Sequence, residues 1–232
     1  LPILHSGYVA GTSHGMDAEA LFPQAHVFPR HAQRLYVMTL CLNDHIQDMK
    51  SEHLQQVLAF LPSWRRERVL AYKQESRQME SALAYIELSR ALALRGFQDI
   101  KPHFEYNEHG KPYLPTYPNL HFSISHCSQA VGCILSEMPC GLDIERVRRA
   151  SPSLISKTMN QGEVKQISSS SHPDVEFIRL WTRKEAVFKL LGTGITDDMQ
   201  DILLRAEALH IHIKSTVNPA RGYVLSTAYQ ER

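Results

Sequence analysis

The amino-acid sequence predicts an α+β protein built from two comparable halves. Three observations predict it. Short apolar runs alternate with period two, longer segments repeat apolar residues every three or four positions, and the order along the chain is strand, helices, strands, then helices and strands again. With 232 residues and 43% hydrophobic content, the chain is long enough to bury a substantial core. Its 25 basic and 24 acidic residues nearly cancel, so bulk charge favours neither a nucleic-acid partner nor a membrane surface. Apolar runs such as "LYVMTLCL" are too short to span a bilayer, and the N-terminus lacks the basic-then-apolar pattern of a secretory signal, so the expected location is the cytoplasm.

Residues 1–34 carry Gly, His and Pro with weak periodicity and read as an arm ahead of a first strand at 35–42. Asn43 or Asp44 is placed to cap a helix running toward Leu61, and Pro62 and Ser63 open a second helix through "WRRERVLAY". A third helix is predicted over about residues 77–95, with Met79, Leu83, Ile86, Ala93 and Leu94 on its apolar side and Gly96 as its stop. "HFEY", the turn "NEHGKP", "LHFSIS", "AVGCILS" and "GLDIE" then give short strands. The tail repeats the scheme: a Ser-rich connection including "SSSS", a helix at 174–191 stopped by Gly192 and Gly194, and the strands "LHIHIKS" and "YVLSTAY" joined by "NPARG". The halves are drawn at 35–136 and 137–232. Cys41, Cys127, Cys133 and Cys140 show no C-x-x-C pairing and read as reduced, buried thiols. His210 and His212 alternate on one predicted strand face without a third ligand, so a solvated face outweighs a metal site there.

In "CGLDIER", strand alternation sends Asp143 and Glu145 to one face and Leu142 and Ile144 to the other. Two carboxylates sharing a face raise each other's cost of ionisation. A divalent cation relieves it, and oxygen-only ligands suit magnesium. A third acid stands in "LWTRKEAVFK", where Ile178, Trp181, Phe188 and Leu191 form an apolar helical stripe that also contains Glu185. A carboxylate on a core-facing seam is costly unless a positive charge meets it. Lys189, one turn on, gives an ordinary i,i+4 pair as the simpler alternative.

"HGKP", "HFSISH", "GLDIE" and, some forty residues later, "WTRKEAVFKLLGTGI" together resemble the 4′-phosphopantetheinyl transferases of the surfactin-synthetase-activating type. The resemblance runs from about Leu35 to the C-terminus. It implies a pseudo-twofold pair of α+β halves with coenzyme A and magnesium in the cleft between them. It also implies transfer of phosphopantetheine to a serine of an apo acyl or peptidyl carrier protein, with release of 3′,5′-ADP. Asp143, Glu145 and Glu185 would hold magnesium, and Lys184 and Lys189 would meet the phosphate and pantetheine region. Glu185, Lys189 and Glu163 form the implied catalytic set, with Glu163 in "NQGEVKQ" as candidate base. Gly110, Lys111 and Pro112 match the adenine loop, and Ser125 and His126 the phosphate-binding positions. Arg65 and Arg68 would grip the 3′-phosphate, since a guanidinium suits bidentate phosphate contacts.

The corresponding long helix departs from the family: "QMESALAY" offers Glu80 and Ala84 where relatives often carry Arg and Gly, leaving Ser81 to reach the nucleotide. The resemblance also implies a monomer, since in that family one chain completes its own cleft, and a reacting phosphate remote from the thiol would allow acyl-coenzyme A as a donor. The helix near 152–160, with Leu154, Ile155, Lys157 and Met159, is the candidate carrier-docking surface, set against packing into its own core. Two other classes compete. A metal-dependent nuclease or phosphodiesterase should show a basic groove that this balanced charge does not suggest, and a noncatalytic nucleotide- or carrier-binding module would not need all three acids.

Overall fold

A computed structural model describes residues 25–27, 38–194 and 197–230. The predicted arm and the first residues of the predicted strand lie outside the described residues, apart from a short strand β1 (Ala25–Val27). β1 pairs antiparallel with β2 (Met38–Asn43). No helix begins at Asn43: its Oδ1 accepts from His45 N, a 3₁₀ turn covers Ile46–Asp48, and α1 starts at Ser51. α1 (Ser51–Phe60) and α2 (Ser63–Leu70) precede the long α3 (Glu75–Leu94), which ends at Arg95 with Gly96 in a left-handed conformation (φ +79°).

α3 is not the one-sided amphipathic helix that its pattern predicts. Met79, Leu83 and Ile86 are buried but Ala93 and Leu94 are exposed, and Ala82, Ala84, Tyr85, Leu88 and Leu92 bury the remaining faces. A helix apolar on several sides belongs between layers. Here α3 lies between α1 and α2 on one side and the first sheet on the other.

The hairpin β3 (Glu105–Tyr106) and β4 (Pro112–Tyr113) follows, then β5 (His121–His126) and β6 (Val131–Ser136). The first sheet runs β1-β2-β6-β5. β7 (Cys140–Arg146) opens the second part, followed by α4 (Pro152–Thr158), α5 (Gln161–Ser169), α6 (Pro173–Leu191), a 3₁₀ turn at Asp197–Gln200 and α7 (Ile202–Ala208). β8 (Ile211–Asn218) and β9 (Tyr223–Gln230) complete a sheet in the order β7-β9-β8. β2, β5 and β6 stand in the order β2-β6-β5, so in both sheets the last strand of the three lies in the middle. Helices on small antiparallel sheets make the chain α+β.

The sheets meet at β5 and β7, each an edge strand. An edge strand carries unpaired N–H groups that need acceptors. Ser123 Oγ accepts from Leu142 N at 3.0 Å and Ser125 Oγ from Ile144 N at 3.1 Å, so two hydroxyls spaced by strand alternation replace a backbone ladder. Below them Leu142 and Ile144 pack with Ile134, Tyr223 and Leu225. A second tie joins the end of the first sheet to the β8–β9 turn, where Tyr223 OH and Asn218 Nδ2 donate to Asp44 Oδ2.

Two smaller expectations change. All four cysteines are buried and free, as predicted. His210, however, is a turn residue at φ +53°, and only His212 lies on β8, stacked on Tyr229 at 5.2 Å. Met159, assigned to a docking surface, is buried with Phe177 and Ile178, and Leu154 and Ile155 pack against the same cluster; Lys157 alone of the four is exposed.

Candidate active site

The candidate site forms where β5, β7 and α6 converge. α6 reaches the sheet because Gly141 has no side chain. A Cβ there would lie 2.7 Å from Leu190 N and 2.9 Å from Ala186 C, and nearer still to Ala186 O. This approach brings helix positions 185 and 189 over the polar face of β7. Asp143 Oδ1 accepts from Lys189 Nζ at 2.7 Å and from Ser125 Oγ at 3.0 Å, and Lys189 Nζ also donates to Ser125 Oγ at 2.9 Å. Lys189 is therefore drawn across to the strand acid, beyond the simple i,i+4 pairing with Glu185. Asp143 Oδ2 is buried with no hydrogen-bond partner.

Asp143 acts on both of the other predicted acids. Burial, then Asp143 and Glu145, push the Glu185 carboxyl up to about 7 against the opposing pull of Lys189. Burial and Asp143 also raise Glu145, against Arg148, Lys189 and Arg146. Burial is the larger cause in both, and the negative charge of Asp143 adds to it. Among the described residues, no three His, Cys, Asp or Glu side chains stand close enough to form a ready-made metal cluster. The donor chemistry nevertheless fits a hard cation: three carboxylates, one with a buried, unpartnered oxygen, and no sulfur or imidazole.

Lys184 and Glu163 lie elsewhere in the network than expected. Lys184 is fully buried, and its ammonium reaches Met199 O at 2.7 Å, Gln200 O at 3.0 Å and Glu163 Oε2 at 2.7 Å. An ammonium has three donors, so Lys184 has none left for a phosphate in this arrangement. It pins the 3₁₀ turn at Asp197–Gln200 to α6. Glu163 Oε2 also accepts from Asn160 N while Asn160 Oδ1 accepts from Glu163 N, a capping box at the start of α5. The family resemblance placed both residues at the site, but a motif position does not carry the direction in which a long side chain turns.

At the predicted nucleotide end, Arg65 is buried rather than solvated. Its Nη2 donates to Ser81 O and Oγ at 2.8 and 2.9 Å, its guanidinium lies 5.5 Å from the Phe104 ring, and its Nε has no partner. Ser81 thus orients Arg65. Arg68 stays exposed, 4.4 Å over the Tyr106 ring. The loop before Pro112 turns at Gly110 (φ +80°), and Asn107 Oδ1 accepts from His109 N and Lys111 N. Lys111 Nζ donates to Leu190 O at 2.8 Å, a cation on the last turn of α6, and burial lowers its pKa. His126 ends β5 with Nδ1 3.0 Å from Glu80 Oε2. Three contributors were not singled out from sequence: Gly141, Ser123 and Glu80 in its contact with His126. The S-x-S spacing in "HFSISH" was the available signal for Ser123.

Residues 139–227 match the 4′-phosphopantetheinyl transferase superfamily. A Bacillus subtilis 4′-phosphopantetheinyl transferase is 30% identical over 105 residues, covering 44% of this chain and 46% of the relative. The Sfp 4′-phosphopantetheinyl transferase of Bacillus subtilis strain 168 is 25% identical over 163 residues, 68% of this chain and 71% of that protein. The AcpT 4′-phosphopantetheinyl transferase of Escherichia coli K12 is 35% identical over 98 residues, 39% of this chain and 49% of that protein. The matched segment thus spans about half the length of the first and third of these relatives. Residues 139–227 contain Asp143, Glu145, Glu185 and Lys189, and over them the chain is similar to the 4′-phosphopantetheinyl transferases.

Proposed function

We propose that this chain transfers 4′-phosphopantetheine from coenzyme A to a serine hydroxyl of an apo acyl or peptidyl carrier protein and releases 3′,5′-ADP. One observation carries the reading: Asp143, with its buried unpartnered Oδ2, stands with Glu145 and Glu185 where the two sheets meet. Magnesium held by these three acids would offset the pyrophosphate charge that builds as the phosphorus–oxygen bond breaks. Lys189 bridges Asp143 and Ser125, and is the cation nearest the acids to turn toward an incoming phosphate. Lys111 and Gly110 shape the adenine loop, with Pro112 stiffening it. Arg65 and Arg68 supply guanidiniums for the 3′-phosphate, and His126 a further donor.

The serine oxygen attacks the β-phosphorus, the bond to the bridging oxygen breaks, and 3′,5′-ADP leaves with that electron pair. The serine proton needs an acceptor. The resemblance gives this role to Glu163, whose pairing with Lys184 must open before it accepts a proton. The two α+β halves, 35–136 and 137–232, are read as a pseudo-twofold pair sharing one cleft, and the enzyme as a cytoplasmic monomer. No helix among the described residues is long and apolar enough to cross a membrane. The deciding assay mixes an apo carrier protein, coenzyme A and magnesium with the chain and reads the carrier by mass spectrometry. Addition of phosphopantetheine to the carrier serine is expected, and an unmodified carrier would refute the proposal.

A further inference from the structure

Glu80 is a buried acid on α3 without an assigned task. It is 6% exposed on α3, yet it makes two charged contacts: Arg77 Nη1 at 2.9 Å and His126 Nδ1 at 3.0 Å. Burial would raise its carboxyl, but the contacts with His126 and then Arg77 outweigh burial and hold it below the ordinary carboxylate range. An ionised carboxylate has no proton to give, so Nδ1 must be the donor. The His126 ring is thereby fixed in orientation. Its side chain remains 34% exposed, and Nε2 has no protein hydrogen-bond partner among the described residues. Other charges stand near the pair, among them Glu145 on β7, which acts with Glu80 on the neighbouring Cys127 thiol. Glu75 on α3 and Lys50 at the start of α1 line a cavity of about 310 Å³ that Glu80 also walls, and Glu75 is engaged by Ser51 Oγ at 2.8 Å. The Cys127 thiol next along the chain is pushed up by burial and stays neutral.

We infer that Glu80 is a positioning residue: it locks the His126 ring as an imidazolium, so that Nε2–H is presented as a charged donor to a phosphate of coenzyme A. The inference rests on the transferase reading for its ligand and on the contact geometry for its couple. It explains how a buried acid is compatible with a phosphate-binding wall. Glu80, Arg77 and the charged His126 sum to a single positive charge, whereas Glu80 beside a neutral imidazole and Arg77 would leave none for the ligand.

The test uses the full chain with its histidine rings labelled with nitrogen-15, comparing wild type with Glu80→Gln, which keeps an acceptor for Nδ1–H but removes the charge, and with Glu80→Asp. In wild type the His126 ring should stay doubly protonated to a higher pH than in Glu80→Gln, with Glu80→Asp between them. For coenzyme A, Glu80→Gln should raise Kd on the order of tenfold at pH 8 and far less at pH 6, where the imidazole is protonated without help. A His126 ring that titrates identically in all three proteins, or a Kd ratio independent of pH, would overturn the inference. Wild-type protein that binds no coenzyme A would instead sink the transferase reading, and the ring spectra would still decide whether Glu80 controls His126.

Discussion

Gly141→Ala should damage the candidate site from a position that lines none of it. Gly141 does not occupy the left-handed region, so alanine suits its strand conformation and by backbone preference alone should stabilise it by about 0.5–1 kcal/mol. Packing opposes this. The added methyl would fall 2.7 Å from Leu190 N and 2.9 Å from Ala186 C, whereas carbon contacts are comfortable at roughly 3.5–4.0 Å. The opposing atoms are helix backbone, so no side chain can rotate away, and α6 must recede by about 1 Å. Overpacking of this kind costs about 1–3 kcal/mol. Glu185 and Lys189 each directly precede one of the two clashing residues and must move with them, and a misplacement of about 1 Å typically lowers a rate on the order of a hundredfold. Urea denaturation followed by intrinsic fluorescence gives the stability, and mass-spectrometric carrier modification at saturating coenzyme A gives the rate. A variant with wild-type midpoint and wild-type rate would show that the close contact of β7 with α6 is not what places the acids.

Asp143→Ala or Glu185→Gln should lower turnover by roughly two orders of magnitude, the scale for losing a main electrostatic stabiliser. EDTA should stop the reaction and magnesium restore it; activity unchanged in a folded variant would remove the metal assignment. Arg68→Ala should weaken coenzyme A more than 3′-dephospho-coenzyme A in calorimetry with little loss of stability, whereas Arg65→Ala, which strips a buried guanidinium from Ser81, should also lower the unfolding midpoint. Equal losses for both ligands would return Arg68 to a solvated role. Burial, against the opposing Arg90, pushes the Glu87 carboxyl up to about 7. Because the folded state then binds the extra proton, its contribution is fully present below the unfolded value of about 4.5 and is lost as pH rises through about 7. Glu87→Gln should accordingly flatten the decline in urea midpoint between pH 5 and 8, and an unchanged slope would contradict the placement. Raising salt from about 50 to 300 mM should raise KM for the carrier more than for coenzyme A, by screening exposed charges over a Debye length of ~10 Å or less. Lys157→Glu should act in the same direction, and a KM for the carrier that ignores both would move docking elsewhere.

Local rules made much of this protein legible in its sequence. Period-two alternation put Asp143 and Glu145 on one face of β7, helical spacing put Glu185 on an apolar seam, and the glycines at 96, 110 and 192 marked the ends of elements, each with positive φ. These features depend on backbone geometry within a few residues, and residues close in sequence are enough to determine them. The tertiary structure decided what depends on residues far apart. Lys189 reaches Asp143 across 46 positions instead of stopping at its helical neighbour, and Lys184, next to Glu185 in sequence, turns into the core to hold two carbonyls and Glu163. A lysine's four-carbon stem leads to either environment from the same helix position, and the packing around it makes the choice. Glu80 and His126, likewise 46 residues apart, become a pair only because α3 lies against the first sheet. The sequence by itself determined which residues could carry charge to the site, while the packing of α6 on β7 and of α3 on the first sheet decided which of those charges meet, because a buried charge is tolerated only where a distant partner arrives to neutralise it.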